Sequence, residues 1–135
     1  MTCTIGWGQG KQGIASAHRR LITDTPRRSA CLDDDFKACD PNERRWDYVV
    51  ERTSGAGAAI EVHSANLSDA KVMVAKKAWA VRTLAQHEPG LLVDAWHWIV
   101  PPHASFSFPP TSPAARLTVK EGIKLPRRNI GRGQL

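Results

Sequence analysis

Two runs of alternating polar and apolar positions near the middle of the chain predict a β-hairpin. The first run is RRWDYVVER, residues 44–52, and the second is AAIEVHSA, residues 58–65. Both are rich in aromatic and β-branched residues, and the glycine-containing segment TSGAG joins them as a turn. Each run nevertheless carries an acid, Asp47 in the first and Glu61 in the second, where a buried strand would be apolar.

The clearest helix follows this hairpin and covers residues 68–87. Ser68 is a candidate N-cap, Asp69 lies in the first turn, and Pro89-Gly90 ends the helix. A narrow apolar stripe at helical spacing is predicted to face a sheet, and it consists of Val74, Ala78, Val81 and Ala85.

Shorter segments predict the remaining elements. LLVDAWHWIV, residues 91–100, predicts a further strand with Trp96 and Trp98 on one face as core side chains. RRSACLDDDFKACD predicts a short helix with Ser29 as N-cap, and SPAARLTVKEG predicts a last short helix.

The order of these elements predicts the fold class. Consecutive strand, helix and strand require a right-handed crossover and a mixed sheet. We therefore expect an α/β (or α+β) fold, with a small mixed sheet whose central hairpin is flanked by helices. Residues 1–28 are expected to form a flexible basic N-terminal segment, residues 29–115 a single core, and residues 116–135 a basic C-terminal segment.

The net charge of +6 is concentrated at the two ends of the chain. Residues 1–28 carry +4 and residues 116–135 carry +5, so the middle carries −3. Basic ends around an acidic centre are typical of proteins that bind a polyanion, and equally of solvated tails. Contacts to DNA or RNA are predicted from Arg19, Arg20, Arg27, Arg28, Arg127, Arg128 and Arg132.

The composition predicts a cytoplasmic protein without a membrane partner. No run of 18 apolar residues is present, and the N-terminal segment lacks the apolar core of a secretory signal. The cysteines, Cys3, Cys31 and Cys39, are therefore expected to be reduced. They contain no CxxC pair, so their spacing does not favour a zinc site.

The register of the hairpin decides which polar side chains meet. Glu61 and His63 point to the same side of their strand because side chains alternate. A two-residue turn would place Asp47 opposite Ser64, facing away from that side. A three-residue turn at residues 54–56 would place Asp47 opposite His63 and gather the polar groups on one patch.

A patch of two carboxylates predicts a divalent cation. Neighbouring carboxylates repel, and burial raises their pKa unless a cation neutralises them. Mg²⁺ (or Mn²⁺) suits such a pair because it takes one or two protein carboxylates and keeps waters that phosphate oxygens can replace. We therefore predict Asp47 and Glu61 as metal ligands, with a neighbouring basic side chain to stabilise charge or position water.

These residues resemble the motif of the PD-(D/E)XK nuclease superfamily. In that motif an Asp begins one hairpin strand and Glu-x-Lys follows on the next, before a helix and another strand. Trp46-Asp47 stands in place of Pro-Asp, and Glu61-Val62-His63 stands in place of Glu-x-Lys. The resemblance covers about residues 29–100 and implies metal-dependent hydrolysis of nucleic-acid phosphodiester bonds.

The chain departs from this motif in two ways. His63 replaces the lysine, which some relatives supply from the following helix, and that helix here carries Lys76 and Lys77. With Val74 at the centre of the buried stripe, Lys77 is the lysine nearer the sheet; Lys76 would serve only if the Trp79 side faced inward. The second departure is the strand that precedes the Asp-bearing strand in the family, which no run of this sequence predicts.

The sequence thus predicts a metal-dependent nuclease, with His63 and either Lys77 or Lys76 as catalytic residues. The alternative is a non-catalytic module of the same fold that binds nucleic acid or protein. A third hypothesis is an interaction module in which Trp96 and Trp98 build the interface of a homo-oligomer.

Overall fold

A computed structural model describes residues 2–135 of the chain. Its elements are, in chain order, β1 (Gly8–Gln9), α1 (Ser16–Arg19), β2 (Arg28–Cys31), α2 (Leu32–Phe36), β3 (Tyr48–Glu51), β4 (Gly57–Val62), α3 (Asp69–His87), β5 (Val93–Ile99) and α4 (Pro113–Lys120). The strands form one sheet in the order β1-β2-β3-β4-β5, antiparallel except for the parallel pair β4–β5. This confirms the predicted fold class. None of the helices in the described residues is long and apolar enough to cross a membrane.

The sheet is buried on both faces. The face that we call the helix face packs against α2, α3 and α4, and its buried strand residues are Ala30, Val49, Ala59, Trp96 and Trp98. The opposite face, which we call the segment face, is formed by Tyr48, Val50, Ala58, Ile60, Ala95 and Ile99. Trp96 and Trp98 are thus core residues, as the alternation of the strand predicts.

The terminal segments cover the segment face, which differs from the flexible N-terminal segment expected over residues 1–28. Ile14 and Ile22 are buried against this face, as is Ile130 from the C-terminal segment. Ile22 and Ile130 form an isolated parallel bridge that joins the two segments. Both ends therefore belong to the single core, because the sheet would otherwise expose its second apolar face.

The segment predicted to be one helix starting at Ser29 contains a strand followed by a helix. The hydroxyl of Ser29 donates to the carbonyl of Gly10 (2.7 Å) and accepts from the amide of Gly13 (2.9 Å), so it fixes β2 and does not cap a helix. β2 pairs with β3. It thus supplies the strand before the Asp-bearing strand that the sequence did not reveal.

The β3–β4 hairpin uses neither of the two predicted registers. Its turn comprises residues 53–55, one residue earlier than the predicted three-residue turn, as the strand pairing requires. Gly55 takes the third turn position with φ 98°, a left-handed conformation that glycine adopts without a Cβ clash. The observed pairing brings Asp47 to the level of Glu61, where the predicted turn would have brought it to His63.

Two of the cysteines form a disulfide, so the expectation that all are reduced is wrong for this pair. Cys3 is bonded to Cys39, and Cys31 remains free. The bond ties the N-terminal segment to the chain just after α2. The positions of the cysteines in the sequence do not predict this disulfide, because Cys3 and Cys39 are 36 residues apart.

We expect reduction of this disulfide to destabilise the fold. Closing a loop of 36 residues restricts the unfolded chain, which corresponds to about 2–4 kcal/mol of stability. The Cys3→Ser variant should therefore unfold at lower urea concentration than the wild type, and dithiothreitol should lower the midpoint of the wild type but not that of this variant. Cys31→Ser is the control, and equal midpoints with and without reductant would contradict the prediction.

Candidate active site

Asp47 and Glu61 meet across the hairpin at one end of the sheet. Asp47 directly precedes β3, and Glu61 is the second-last residue of β4. The amide of Asp47 donates to Oε1 of Glu61 (2.8 Å), and the amide of Val62 donates to Oδ2 of Asp47 (3.0 Å). Alternation along the strands places both side chains on the helix face, two residues from Val49 and Ala59.

The orientation of α3 brings Lys76 to these carboxylates. The predicted stripe is wrong for three of its four residues, because Val74 packs against the core but Ala78, Val81 and Ala85 are exposed. The side of α3 that is buried consists of Ala70, Met73, Trp79, Ala80, Thr83 and Leu84. Lys76 lies three residues from both Met73 and Trp79 and therefore shares the buried side. The bulk of Met73, Trp79 and Leu84 was the signal in the sequence, since large side chains fill the space above a sheet better than alanines.

Lys76 completes a compact cluster, which we call the acid–lysine cluster: Asp47, Glu61 and Lys76. Nζ of Lys76 donates to Oε2 of Glu61 (2.6 Å). Glu61 is 0% exposed and the Lys76 side chain is 17% exposed, whereas Asp47 is partly open to solvent. Glu61 is therefore the inner member of the cluster and Asp47 the outer one.

Burial keeps the two acids from ionising easily. It raises the pKa of Glu61 to about 8; the charge of Asp47 acts in the same direction and Lys76 opposes it. Burial also raises the pKa of Asp47, against the hydrogen bond from Val62 and the charge of Lys76. Two ionised acids and one lysine carry a net negative charge, so at neutral pH the cluster favours an additional proton or an additional cation.

The donor set of the cluster, two carboxylates without a nitrogen or sulfur ligand, is one that a hard divalent cation would take rather than zinc. In the part of the chain that the structure describes, no three His, Cys, Asp or Glu side chains are grouped to hold a metal ion, which a closed zinc site would need. Mg²⁺ requires fewer protein ligands, because it keeps several waters beside one or two carboxylates. Asp47 and Glu61 are the residues that would hold it.

The other two predicted catalytic residues are engaged elsewhere. Nζ of Lys77 donates to the carbonyl of Glu121 after α4 (2.5 Å) and lies 5.1 Å from the ring centroid of Trp96. Nδ1 of His63 donates to the carbonyl of Ser64 (2.8 Å). The structure thus brings Lys76 to the acids and assigns Lys77 a packing role. The stripe had predicted the opposite, that Lys77 would be the lysine nearer the sheet.

The predicted nucleic-acid-binding arginines do not form one surface. Arg27 and Arg28 both pair with Glu51, at 3.0 and 2.8 Å, at the turn end of the hairpin and away from the acid–lysine cluster. Arg19 is held by the carbonyl of Ile14 (2.7 Å) on the segment face. These three side chains therefore have partners within the fold, and their contact with nucleic acid stays a prediction.

The remaining arginines lie at the surface or at the same end of the sheet as the cluster. Arg127 forms an isolated parallel bridge with Ile99, the last residue of β5, and Arg128 is the next residue after Arg127. Arg20, Arg128 and Arg132 are exposed. Because β4 and β5 are parallel, their ends lie together, which places Arg128 on the Glu61 end of the sheet.

Comparison with known proteins identifies no relative of this chain. No protein-family model matches it. No curated protein and no solved structure matches it either.

Proposed function

We propose that this protein is a metal-dependent nuclease that hydrolyses phosphodiester bonds of DNA or RNA. The observation that carries the proposal is the direct contact of Asp47, Glu61 and Lys76 at one end of the sheet. Their origin on adjacent hairpin strands and the following helix supports the resemblance to the PD-(D/E)XK motif, with the lysine supplied by α3. The position of β2 before the Asp-bearing strand supports it further.

The residues of the cluster have distinct parts in this proposal. Asp47 and Glu61 would hold the cation, which would supply positive charge to polarise the phosphodiester. Lys76 fixes the carboxylate of Glu61 and contributes a second positive charge where negative charge develops on the phosphoryl oxygens. Exposed Arg128 and the net charge of +6 favour the approach of a polyanionic substrate.

The test compares two adjacent lysines on the same helix. Labelled DNA and RNA are incubated with the protein in Mg²⁺, Mn²⁺ or EDTA, and cleavage is followed on gels. We expect cleavage only with a divalent cation, and a loss of at least about 100-fold in the Lys76→Gln variant, because an electrostatic contact to the reacting group is removed.

Lys77→Gln is the matched control, since its side chain is held by α4 and not by the acids. Cleavage that persists in EDTA, or that falls equally in both folded variants, would refute the proposed site. Circular dichroism establishes that each variant is folded.

One observation favours a second candidate, a non-catalytic nucleic-acid-binding module of the same fold. Both carboxylate oxygens of the buried Glu61 already accept hydrogen bonds, from Asp47 and from Lys76. A purely structural ion pair would have this form. Retention on a polyanion resin together with no cleavage in any metal would establish this candidate over the nuclease.

A further inference from the structure

An aromatic ring and a guanidinium form a fixed pair at the surface beyond the end of β4. Phe106 is 38% exposed, and Cζ of Arg128 lies 5.2 Å from its ring centroid. The guanidinium also donates to the carbonyl of Pro101 (2.6 Å), which holds it in place. We call Phe106 and Arg128 the stacking pair. The pair thus combines a partly exposed aromatic ring with a positive charge that lies over it.

The backbone ties the stacking pair to the acid–lysine cluster. Ala65 forms a parallel bridge with Phe106: its amide donates to the carbonyl of Ser105 (2.9 Å), and its carbonyl accepts from the amide of Ser107 (2.7 Å). Ala65 follows Glu61 by four residues of largely extended chain, a span of roughly 13 Å at the rise of a strand. The pair and the cluster therefore lie beyond the same end of the sheet.

We propose that the stacking pair is a subsite for an unpaired base of a nucleic acid, so that the substrate is single-stranded. The substrate assignment rests on the proposed nuclease function; the binding itself does not. An aromatic ring beside a guanidinium stacks with any base whose face is free, while the cation attracts the neighbouring phosphate. The bases of a duplex are stacked on each other and leave no face for Phe106.

The affinity of the protein for oligonucleotides, measured under conditions without cleavage, tests this subsite. Fluorescence anisotropy is measured in EDTA with labelled oligo(dT), oligo(U) and a blunt duplex of equal charge. We expect the wild type to prefer the single strands, and the Phe106→Ala variant to bind them roughly tenfold more weakly, with little change for the duplex. The DNA and RNA arms distinguish the two sources of unpaired bases.

Two further variants distinguish the contribution of aromatic stacking to binding from that of apolar bulk. Phe106→Leu keeps the bulk without an aromatic face and should behave like Phe106→Ala, whereas Phe106→Trp should bind as tightly as the wild type. Leu92→Ala is the control, because Leu92 is another exposed apolar side chain, 74% exposed, at the turn end of the sheet. It should leave binding unchanged.

Three results would overturn the subsite: no binding of single strands by the wild type, equal losses in Phe106→Ala and Leu92→Ala, or equal losses for duplex and single strand. These results are independent of catalysis. If cleavage fails but the Phe106 variants behave as expected, only the nuclease is rejected. If cleavage occurs and Phe106→Ala binds normally, only the subsite is rejected.

Discussion

The Glu61→Gln variant, measured in EDTA, will be more stable than the wild type at pH 9, by up to about 5 kcal/mol. Burial raises the pKa of Glu61 from 4.5 to about 8 in the folded protein. The folded state therefore holds a proton that the unfolded state releases, and stability falls as pH rises from 4.5 through 8. Glutamine resembles the protonated acid and does not titrate, so the variant should escape this loss.

Urea unfolding at a series of pH values measures this effect. The two proteins should have similar stability near pH 5 and diverge above it, and the Glu61→Gln variant should also be inactive in the cleavage assay. Glu51→Gln is the matched control on the same hairpin. Hydrogen bonding from Arg28 lowers the pKa of Glu51, so this substitution should not increase stability at high pH. Parallel pH profiles for wild type and Glu61→Gln would contradict the prediction.

The His97→Gln variant will lose less stability than the wild type in acid, by up to about 3 kcal/mol at pH 4. His97 is fully buried on the segment face, and its Nδ1 accepts from Arg127 (3.2 Å). Burial lowers its pKa from 6.5 to about 4, and the charges of Arg127, Lys124 and Arg52 act in the same direction.

The stability falls in acid because the folded and unfolded states bind different numbers of protons. Below pH 6.5 the unfolded chain protonates this histidine and the folded one does not, so stability is lost as pH falls from 6.5 towards 4. Glutamine keeps an acceptor for Arg127 without titrating. The exposed His103→Gln variant is the control, and the prediction fails if His97→Gln has the same acid slope as the wild type.

One ring nitrogen of His97 lacks a hydrogen bond within the described part of the chain, unlike the carboxylates of the acid–lysine cluster. Its Nε2 is buried without a hydrogen-bond partner among the described residues. Nothing in the run WHW singles out His97, because alternation assigns it only to the face opposite Trp96 and Trp98. The stability that His97 costs in acid arises first from its burial on the segment face and then from the charge of Arg127 in the C-terminal segment.

Local patterns were sufficient for the main elements. The long helix, the hairpin strands and the strand after the helix depend on residues close in sequence, on turn glycines and on alternation, and the structure has all of them. The long helix agrees with its predicted bounds within one residue, whereas β3 begins four residues later than the predicted run. β2 was missed because its residues, Arg28–Cys31, have little strand character of their own. Pairing with β3 on one side and β1 on the other makes them a strand.

The candidate site was predictable in its residues but not in its geometry. Asp47 and Glu61 stood out as acids inside strands, and Lys76 was one of two lysines considered. The choice between Lys76 and Lys77 depended on which side of α3 packs on the sheet, and the small-residue stripe indicated the wrong side. The turn lies one residue earlier than expected, so Asp47 comes to the level of Glu61 and not of His63, whose catalytic role stays a prediction.

The sequence by itself determined a small α/β fold, a hairpin with an acid in each strand and a lysine-bearing helix after it, because these features depend on periodicity and turn chemistry within short segments. Only the tertiary structure decided the register, the rotation of α3, the Cys3–Cys39 bond and the burial of Ile14, Ile22 and Ile130 from the two terminal segments. Each of these depends on which distant surfaces fill the two faces of the sheet, and packing of that kind is not encoded in any one segment.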